Sequence, residues 1–438
     1  MTAAAPPASP ATRGQVIAWA FWDWGSAAFN TVILTFVFSV YLVKGVGNDE
    51  PSASAALGYA VGIAGFALAV VAPVIAARAD AAGRRKRATA IWTAVTIVVM
   101  AVMVAVRDDT TYLAFGLTLL ALGTVFWELA SVSYNAMLCQ VSTPATMGRV
   151  SGFGWSMGYL GGIVLLAGLY AGMISDNGDG TAGLLRIATA DGWNFRLVAL
   201  VAAAWYLVSA IPLFVSVPEI PPDPQRPARI GVVASYRKLA VDIRDVYRSD
   251  PHALWFLLSS AIYRDGLAGV FTFGVILAVA VYGIPQDDVL IFGVVANVVS
   301  AAGALAGGWL EDRVGPKPVI VGSLVGLIVT GVILLFVHGP DAFWVFGLFL
   351  CAFVGPAQSS SRTFLARMAP VGREGQFFGL YATTGRAASF LAPTLFALFV
   401  TIFDTPRAGI VGIVLVLALG LATFAAVRSP ARRATAEV

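Results

Sequence analysis

Five ionisable side chains interrupt stretches that are otherwise apolar: Asp23, Glu128, Arg264, Asp265 and Arg386. A charge held in hydrocarbon costs ~2.5 to 3.5 kcal/mol on insertion scales, so a chain keeps one there for a function or for a partner. Desolvation raises a carboxylate's proton affinity and a nearby arginine lowers it again, so a change of shape can load and release a proton. Asp23, Glu128 and Asp265 have that chemistry. Asp265 beside Arg264 is the leading candidate for a coupling or binding site, with Asp23 as its counterpart near the start of the chain. The alternative for the same residues is a set of structural ion pairs, Arg386 included, that lock helices together and never titrate. Asn30, Asn135, Asn297, Gln358 and the run Ser359 to Ser361 add neutral polar groups to these stretches. Trp22, Trp24, Trp127 and Trp155 offer an apolar or cation-π wall, or simple interfacial anchoring.

Enzyme chemistry has little to work with. The only two histidines, His252 and His338, fall at the ends of apolar runs, and no metal-ligand cluster or nucleophile–base pair is visible. No phosphate-binding loop is present, so no nucleotide or other cofactor is expected. The two cysteines, Cys139 and Cys351, are too few for a disulfide framework.

The setting of these residues is lipid. Hydrophobic residues make up 58% of the chain and charged residues 12%, where a soluble domain carries about a quarter charged. Runs long enough to cross a ~30 Å hydrocarbon core recur along the whole length, apolar on all sides and therefore helices, not barrel strands. Twelve are expected, at roughly 16–43, 56–77, 88–106, 112–137, 151–174, 195–217, 253–281, 289–310, 318–337, 341–361, 377–403 and 408–427. An all-α polytopic membrane protein follows, with the first apolar run retained as a span.

Charge orients it. With both termini on one side, 21 of the 28 Lys and Arg fall on that side and five on the other, while Arg264 and Arg386 lie within spans. The positive-inside rule places both termini in the cytoplasm, so the net charge of +4 reads as a topology signal and no nucleic-acid partner is expected. Pro218, Pro221, Pro222 and Pro224 open the longest break and divide the spans six and six. The expected division is 1–217, a linker at 218–252, and 253–438. Within the linker, Val232, Tyr236, Leu239, Ile243 and Val246 recur at helical spacing, with Arg237, Lys238, Asp242, Arg244, Asp245 and Arg248 on the other face. That pattern is an amphipathic helix, on the membrane surface or in a solvated linker.

One loop occurs twice. Asp80, Gly83, Arg84 and Arg85 between spans 2 and 3 are echoed by Asp312, Arg313, Gly315 and Lys317 between spans 8 and 9, with the aspartates 232 positions apart. A further offset of 227 carries Gly152 and Gly158 onto Gly379 and Gly385. The aspartate can pair with the adjacent cations and with a neighbouring helix N-terminus, and the glycine allows the tight reversal. Such a loop can latch one side of the bundle, and it also fixes topology.

The twin loops resemble the signature of the major facilitator superfamily, the first departing by carrying Ala76 where glycine is usual. A narrower resemblance, to the bacterial branch of the autophagy-related vacuolar effluxers, rests on four stretches. They are Trp22 to Phe29, Gly148 to Gly162, Tyr263 to Gly266, and Gln358 to Arg367 continued by Gly372 to Glu374 and Phe377 to Tyr381. The resemblance implies two pseudo-symmetric six-helix halves with spans 1, 4, 7 and 10 around a central cavity. It also implies a secondary carrier in the cytoplasmic membrane, driven by a proton or other ion and acting on a small organic solute. Eukaryotic members are described as amino-acid exporters, but fold kinship does not carry substrate. A monomer is expected. Efflux of amphiphiles, or a channel or receptor without active transport, are the competing readings.

Overall fold

The computed structural model describes residues 11–47, 50–220 and 232–429. The first ten residues, the linker from Pro221 to Gly231 and the last nine residues, with Arg226, Arg229, Arg432 and Arg433, lie outside the described residues. Among the described residues, twelve helices are long and apolar enough to cross a membrane. They are span 1 (Arg13–Val46), 2 (Ser52–Ala81), 3 (Arg85–Ala105), 4 (Thr110–Val141), 5 (Met147–Ile174), 6 (Ala190–Ser216), 7 (Pro251–Ala280), 8 (Ile291–Val314), 9 (Pro316–Phe336), 10 (Pro340–Met368), 11 (Glu374–Phe403) and 12 (Pro406–Ala425).

Local chemistry sets the ends. Thr12 and Gln15 form a reciprocal capping box at the start of span 1. Proline opens spans 7, 9 and 10, where its missing N–H costs nothing. Gly83 and Gly315 take φ of 60° and 91° in the twin loops, a region closed to most side chains. Between spans 5 and 6 a two-residue hairpin pairs Thr181–Ala182 with Ile187–Ala188. There the amide and hydroxyl of Thr181 hold the Asp179 carboxyl below its usual range.

Spans 1 and 11 depart from a continuous α-helix near their middles. Span 1 changes from α-helix to π-helix at Ala28–Phe36, a geometry common at functional sites. Span 11 is broken: one α-helix runs Glu374–Ala388 and a second Leu391–Phe403. Span 10 runs seven residues beyond its expected end at 361, so Arg362, expected in a loop, is a buried cation within the span, with 4% of its surface exposed. The apolar run ends there, but the buried polar face Ser359, Ser360, Ser361 and Thr363 keeps the helix inside the protein.

Contacts between the first six spans and the last six concentrate where spans 2 and 11 and spans 5 and 8 cross. Small residues let these backbones touch. A Cβ on Gly152 would lie 2.3 Å from the Ala304 carbonyl oxygen, and one on Gly379 would lie 2.7 Å from Pro73 Cα and 3.0 Å from the Ala72 carbonyl oxygen. The glycines are 227 apart and the alanine carbonyls 232 apart, so the two crossings are images under the pseudo-twofold that relates the halves. Both lie toward the end carrying the termini and the twin loops, called here the basic end. Among the described residues, spans 1 and 7 have no comparable packing against each other.

The linker helix, Val232–Ser249, half-buries Tyr236, Leu239, Ile243 and Val246 and exposes Arg237, Arg244, Asp245 and Arg248. Its Tyr236 hydroxyl donates to the Val70 carbonyl of span 2 at 3.0 Å. Ile243 and Val246 lie over Leu254, Phe377 and Leu380.

Replacing both Gly152 and Gly379 with valine is expected to force the basic end apart. Cys139 reports on this, because its Sγ faces the Ala366 carbonyl across the two halves at 3.9 Å. Its maleimide labelling in a Cys351→Ala background should rise about tenfold over the glycine parent, the factor given by ~1.4 kcal/mol. Unchanged labelling would contradict the crossing geometry.

Candidate functional site

The residues singled out in the sequence fall into two layers, a polar layer within the spans and a set of latches at the basic end. Arg362 organises the first. Its Nη1 donates to Asp23 Oδ2 at 3.3 Å and Asn135 Oδ1 at 3.1 Å, its Nε to Ser151 Oγ at 2.9 Å, and its Nη2 to the Ser151 carbonyl at 2.6 Å. Tyr134 completes the shell by donating its hydroxyl to Asp23 Oδ2 at 2.9 Å. The guanidinium stands over the rings of Trp19 and Trp155, 5.0 and 5.7 Å from their centroids. One cation of span 10 therefore binds spans 1, 4 and 5 of the other half.

Glu128 of span 4 and Arg386 of span 11 form a second ion pair across the halves. Gly65 of span 2 leaves room for the Arg386 stem, whose Cδ would be 3.5 Å from a Cβ there. Arg264 and Asp265, though adjacent, do not pair with each other. Arg264 Nη1 donates to the Tyr381 carbonyl at 3.1 Å and the guanidinium lies 3.7 Å from the Tyr381 ring centroid. Asp265, 7% exposed, turns away and accepts the Ala392 backbone N–H at 2.5 Å. Successive side chains on a helix diverge by about 100°, which explains the separation.

Asn30 lies exposed in the π-helical segment, and its carbonyl accepts from Thr35. Gln358 is half-buried and approaches the Tyr159 hydroxyl without reaching hydrogen-bond geometry. Asn297 bonds within its own helix to the Gly293 carbonyl. Trp22 and Trp24 belong to packing: Trp22 stacks on Tyr134 and donates to Thr93, and Trp24 stacks on Trp205. Trp127 and Trp155 carry buried indole N–H groups with no partner among the described residues.

At the basic end, Asp80 accepts from Arg85 Nε at 2.5 Å and from the Gln376 backbone N–H at 3.0 Å, and Arg85 Nη2 bonds Glu374 at 2.5 Å. The loop between spans 2 and 3 thus seizes the N-terminus of span 11. The second copy mirrors it. Asp312 accepts the Gly148 and Arg149 N–H groups at 2.9 and 3.4 Å and pairs with the Arg149 side chain at 3.0 Å, seizing the N-terminus of span 5. Gly148 and Gly375 are again 227 apart, and a Cβ on either would lie 2.7 to 2.8 Å from the carboxylate. Both arrangements use the positive end of a helix to bind an anion.

The remaining loop cations work within their own half or face outward. Lys317 donates to the Ala425 and Val427 carbonyls at the end of span 12. Arg313 stacks on Trp309 at 3.5 Å, and Arg84 is exposed. Among residues the sequence did not single out as sites, Arg362, Ser151, Arg149 and Glu374 hold the halves together, as does Arg367, which donates to the Pro144 carbonyl at 3.1 Å and pairs within its own half with Glu311 at 3.3 Å. The signal for several was present: Gly148, Arg149, Arg362 and Glu374 all stand in the stretches that carry the family resemblance.

The profile of the family described as "Vacuole effluxer Atg22 like" matches residues 139–437. The chain belongs to this family. The uncharacterized MFS-type transporter YxiO of Bacillus subtilis (strain 168) is 23% identical over 419 residues, 94% of each chain. Autophagy-related protein 22-1 of Aspergillus fumigatus is 22% identical over 296 residues, and the match spans about half (47%) of that longer protein. In three dimensions the chain is similar to the E. coli fucose:proton symporter FucP (TM-score 0.70, 13% identity, 94% of this chain and 97% of that one). It is also similar to the proton:xylose symporter XylE (0.71, 14%, 93% and 94%). At these identities the likeness establishes the fold alone: the major facilitator fold, twelve spans in two six-helix halves of a multi-pass integral membrane protein.

Removing Arg362 strands a buried carboxylate, which costs about 3 to 5 kcal/mol. Arg362→Ala should therefore melt far below the parent in detergent, while Asp23→Asn combined with Arg362→Gln should cost much less than the single changes summed. Additive losses in that double-mutant cycle would mean that the two side chains do not interact.

Proposed function

We propose that this Atg22-like chain is an alternating-access carrier of a small organic solute, coupled to protons through Asp23 and Arg362. It acts in a bacterial cytoplasmic membrane with the basic end in the cytoplasm, an orientation supported by the charge asymmetry. The observation that carries the reading is that Arg362 joins spans 1, 4 and 5 from span 10. Opening the basic end pulls Arg362 off Asp23. A carboxylate left in that site without its cation takes up a proton, and closure expels it. Proton binding and the conformational change are then one equilibrium. The latches at Asp80 and Asp312 hold the closed form without contributing to the solute site, and the pseudo-symmetric halves, 1–217 and 253–438, rock about the polar layer with 218–252 as linker.

Arg264 supports an anionic group on the solute. It has no carboxylate partner among the described residues, and its contacts with Tyr381 use one N–H and one ring face. Tyr381 and Gly385 of span 11 lie against it. An amino acid, whose carboxylate would meet Arg264, fits this arrangement, as does the description of the family as effluxers.

Proteoliposomes carrying the purified chain should take up one of a radiolabelled panel (the twenty amino acids, fucose and xylose) saturably, with a rate raised by an imposed pH gradient. Asp23→Asn should retain exchange at equal pH and lose gradient-driven accumulation. Solute-independent conductance, or accumulation by Asp23→Asn at the parental level, would overturn the coupling proposal.

A further inference from the structure

Span 11 is an α-helix that stops at Ala388 and restarts at Leu391, midway along the span. Its first segment, Glu374–Ala388, carries the contacts of the first latch and Arg386. After Ser389 and the 62% exposed Phe390, the second segment, Leu391–Phe403, begins with no side-chain cap from its own chain neighbours. A helix N-terminus within the spans leaves backbone N–H groups without intrahelical acceptors, and in lipid no water supplies them. Asp265 of span 7 supplies one by accepting the Ala392 N–H. Close approach is built in: Ala392 is fully buried, and Gly269, one turn after Asp265, leaves only 3.0 Å between a Cβ of its own and that of Ala392. The neighbouring Arg264 holds the first segment through the Tyr381 carbonyl and ring. Two consecutive residues of span 7 thus grip the two pieces of span 11 on either side of its break.

We infer that Asp265 is a positioning residue, a cap supplied by span 7 that docks the second segment of span 11, and not a carboxylate that carries the coupled proton. Its oxygen is engaged by a backbone N–H of the same half. The ionic contacts that must change when the halves separate are those of Asp23, Glu128, Asp80 and Asp312, each of which reaches the opposite half. Docking keeps the Arg386 end of the first segment in fixed relation to span 7, because Ser389 ties back to the Arg386 carbonyl through its hydroxyl at 2.8 Å. Asp265 takes the backbone N–H of Ala392 in span 11, its neighbour Gly266 packs on the apolar Val416 and Leu417 of span 12, and among the described residues no cation pairs with Asp265. The inference rests on the carrier reading only for its consequence in transport. The docking itself is measurable without any solute.

The amide oxygen of asparagine caps a helix nearly as well as a carboxylate and cannot titrate. Spin labels at Ile402, on the second segment, and Val329, on span 9, in a background with Cys139 and Cys351 replaced by alanine, report its position. Asp265→Asn should keep the parental distance distribution, and that distribution should not change between pH 5 and 9 in either protein. Asp265→Ala should shift or broaden it by roughly 3 Å, about two residues of helical rise, or fail to fold while Asp265→Asn folds normally. A parental distance that moves with pH and ceases to move in Asp265→Asn would overturn the inference. So would equal disruption by both variants, failure of both to fold, or no effect of Asp265→Ala.

Discussion

A charge within a bilayer must find its partner inside the protein, and in this chain several of those partners stand on the other half of the molecule. Arg362 reaches Asp23, Arg386 reaches Glu128, Arg85 reaches Glu374, and Arg149 reaches Asp312. The same contacts that make the charges tolerable therefore hold one arrangement of the two halves. Lipid supplies no hydrophobic force between helices, so close backbone contact at the glycines and these ion pairs bear most of the association at the basic end. An interface held by a few discrete polar contacts is suited to having two states, because each contact is either made or replaced.

The pseudo-twofold governs where the contacts fall, and chemistry breaks the symmetry. Glycine meets an alanine carbonyl at both crossings, and aspartate meets a helix N-terminus at both latches. The first latch is a buried triad in which Arg85 serves two carboxylates, whereas the second joins an exposed Arg149 side chain to Asp312 and sets the buried Glu311–Arg367 pair beside it. A buried triad has a high cost if one member is removed, and an exposed pair has little. The two sides of the basic end accordingly differ in how much each resists opening, although one plan generated both.

Much of this architecture was legible in the chain because it depends on local properties. Length and apolarity alone define a membrane helix, so twelve spans and their order follow without tertiary information. The duplicated loop is likewise local: Asp, Gly and cations at fixed spacing specify an anion beside a tight turn, and the structure turns both aspartates onto helix N-termini. The linker stripe from Tyr236 to Val246 is legible for the same reason, since a period of 3.6 needs only the helix itself. The expected end of span 10 failed at Arg362 because apolarity stops there while the protein, not lipid, surrounds the next two turns.

Pairing lay beyond that reach. Arg264 and Asp265 are neighbours in sequence and serve different segments of span 11, while Asp23 and Arg362 are 339 positions apart and share a hydrogen bond. Lys317 matches Arg85 in the repeat and yet closes off span 12. Composition and periodicity determined that this chain crosses a membrane twelve times as two related halves carrying buried charge. Which charge meets which was decided only by the rotation of each helix about its axis and by the angle at which spans cross, and neither quantity is a property of any one segment.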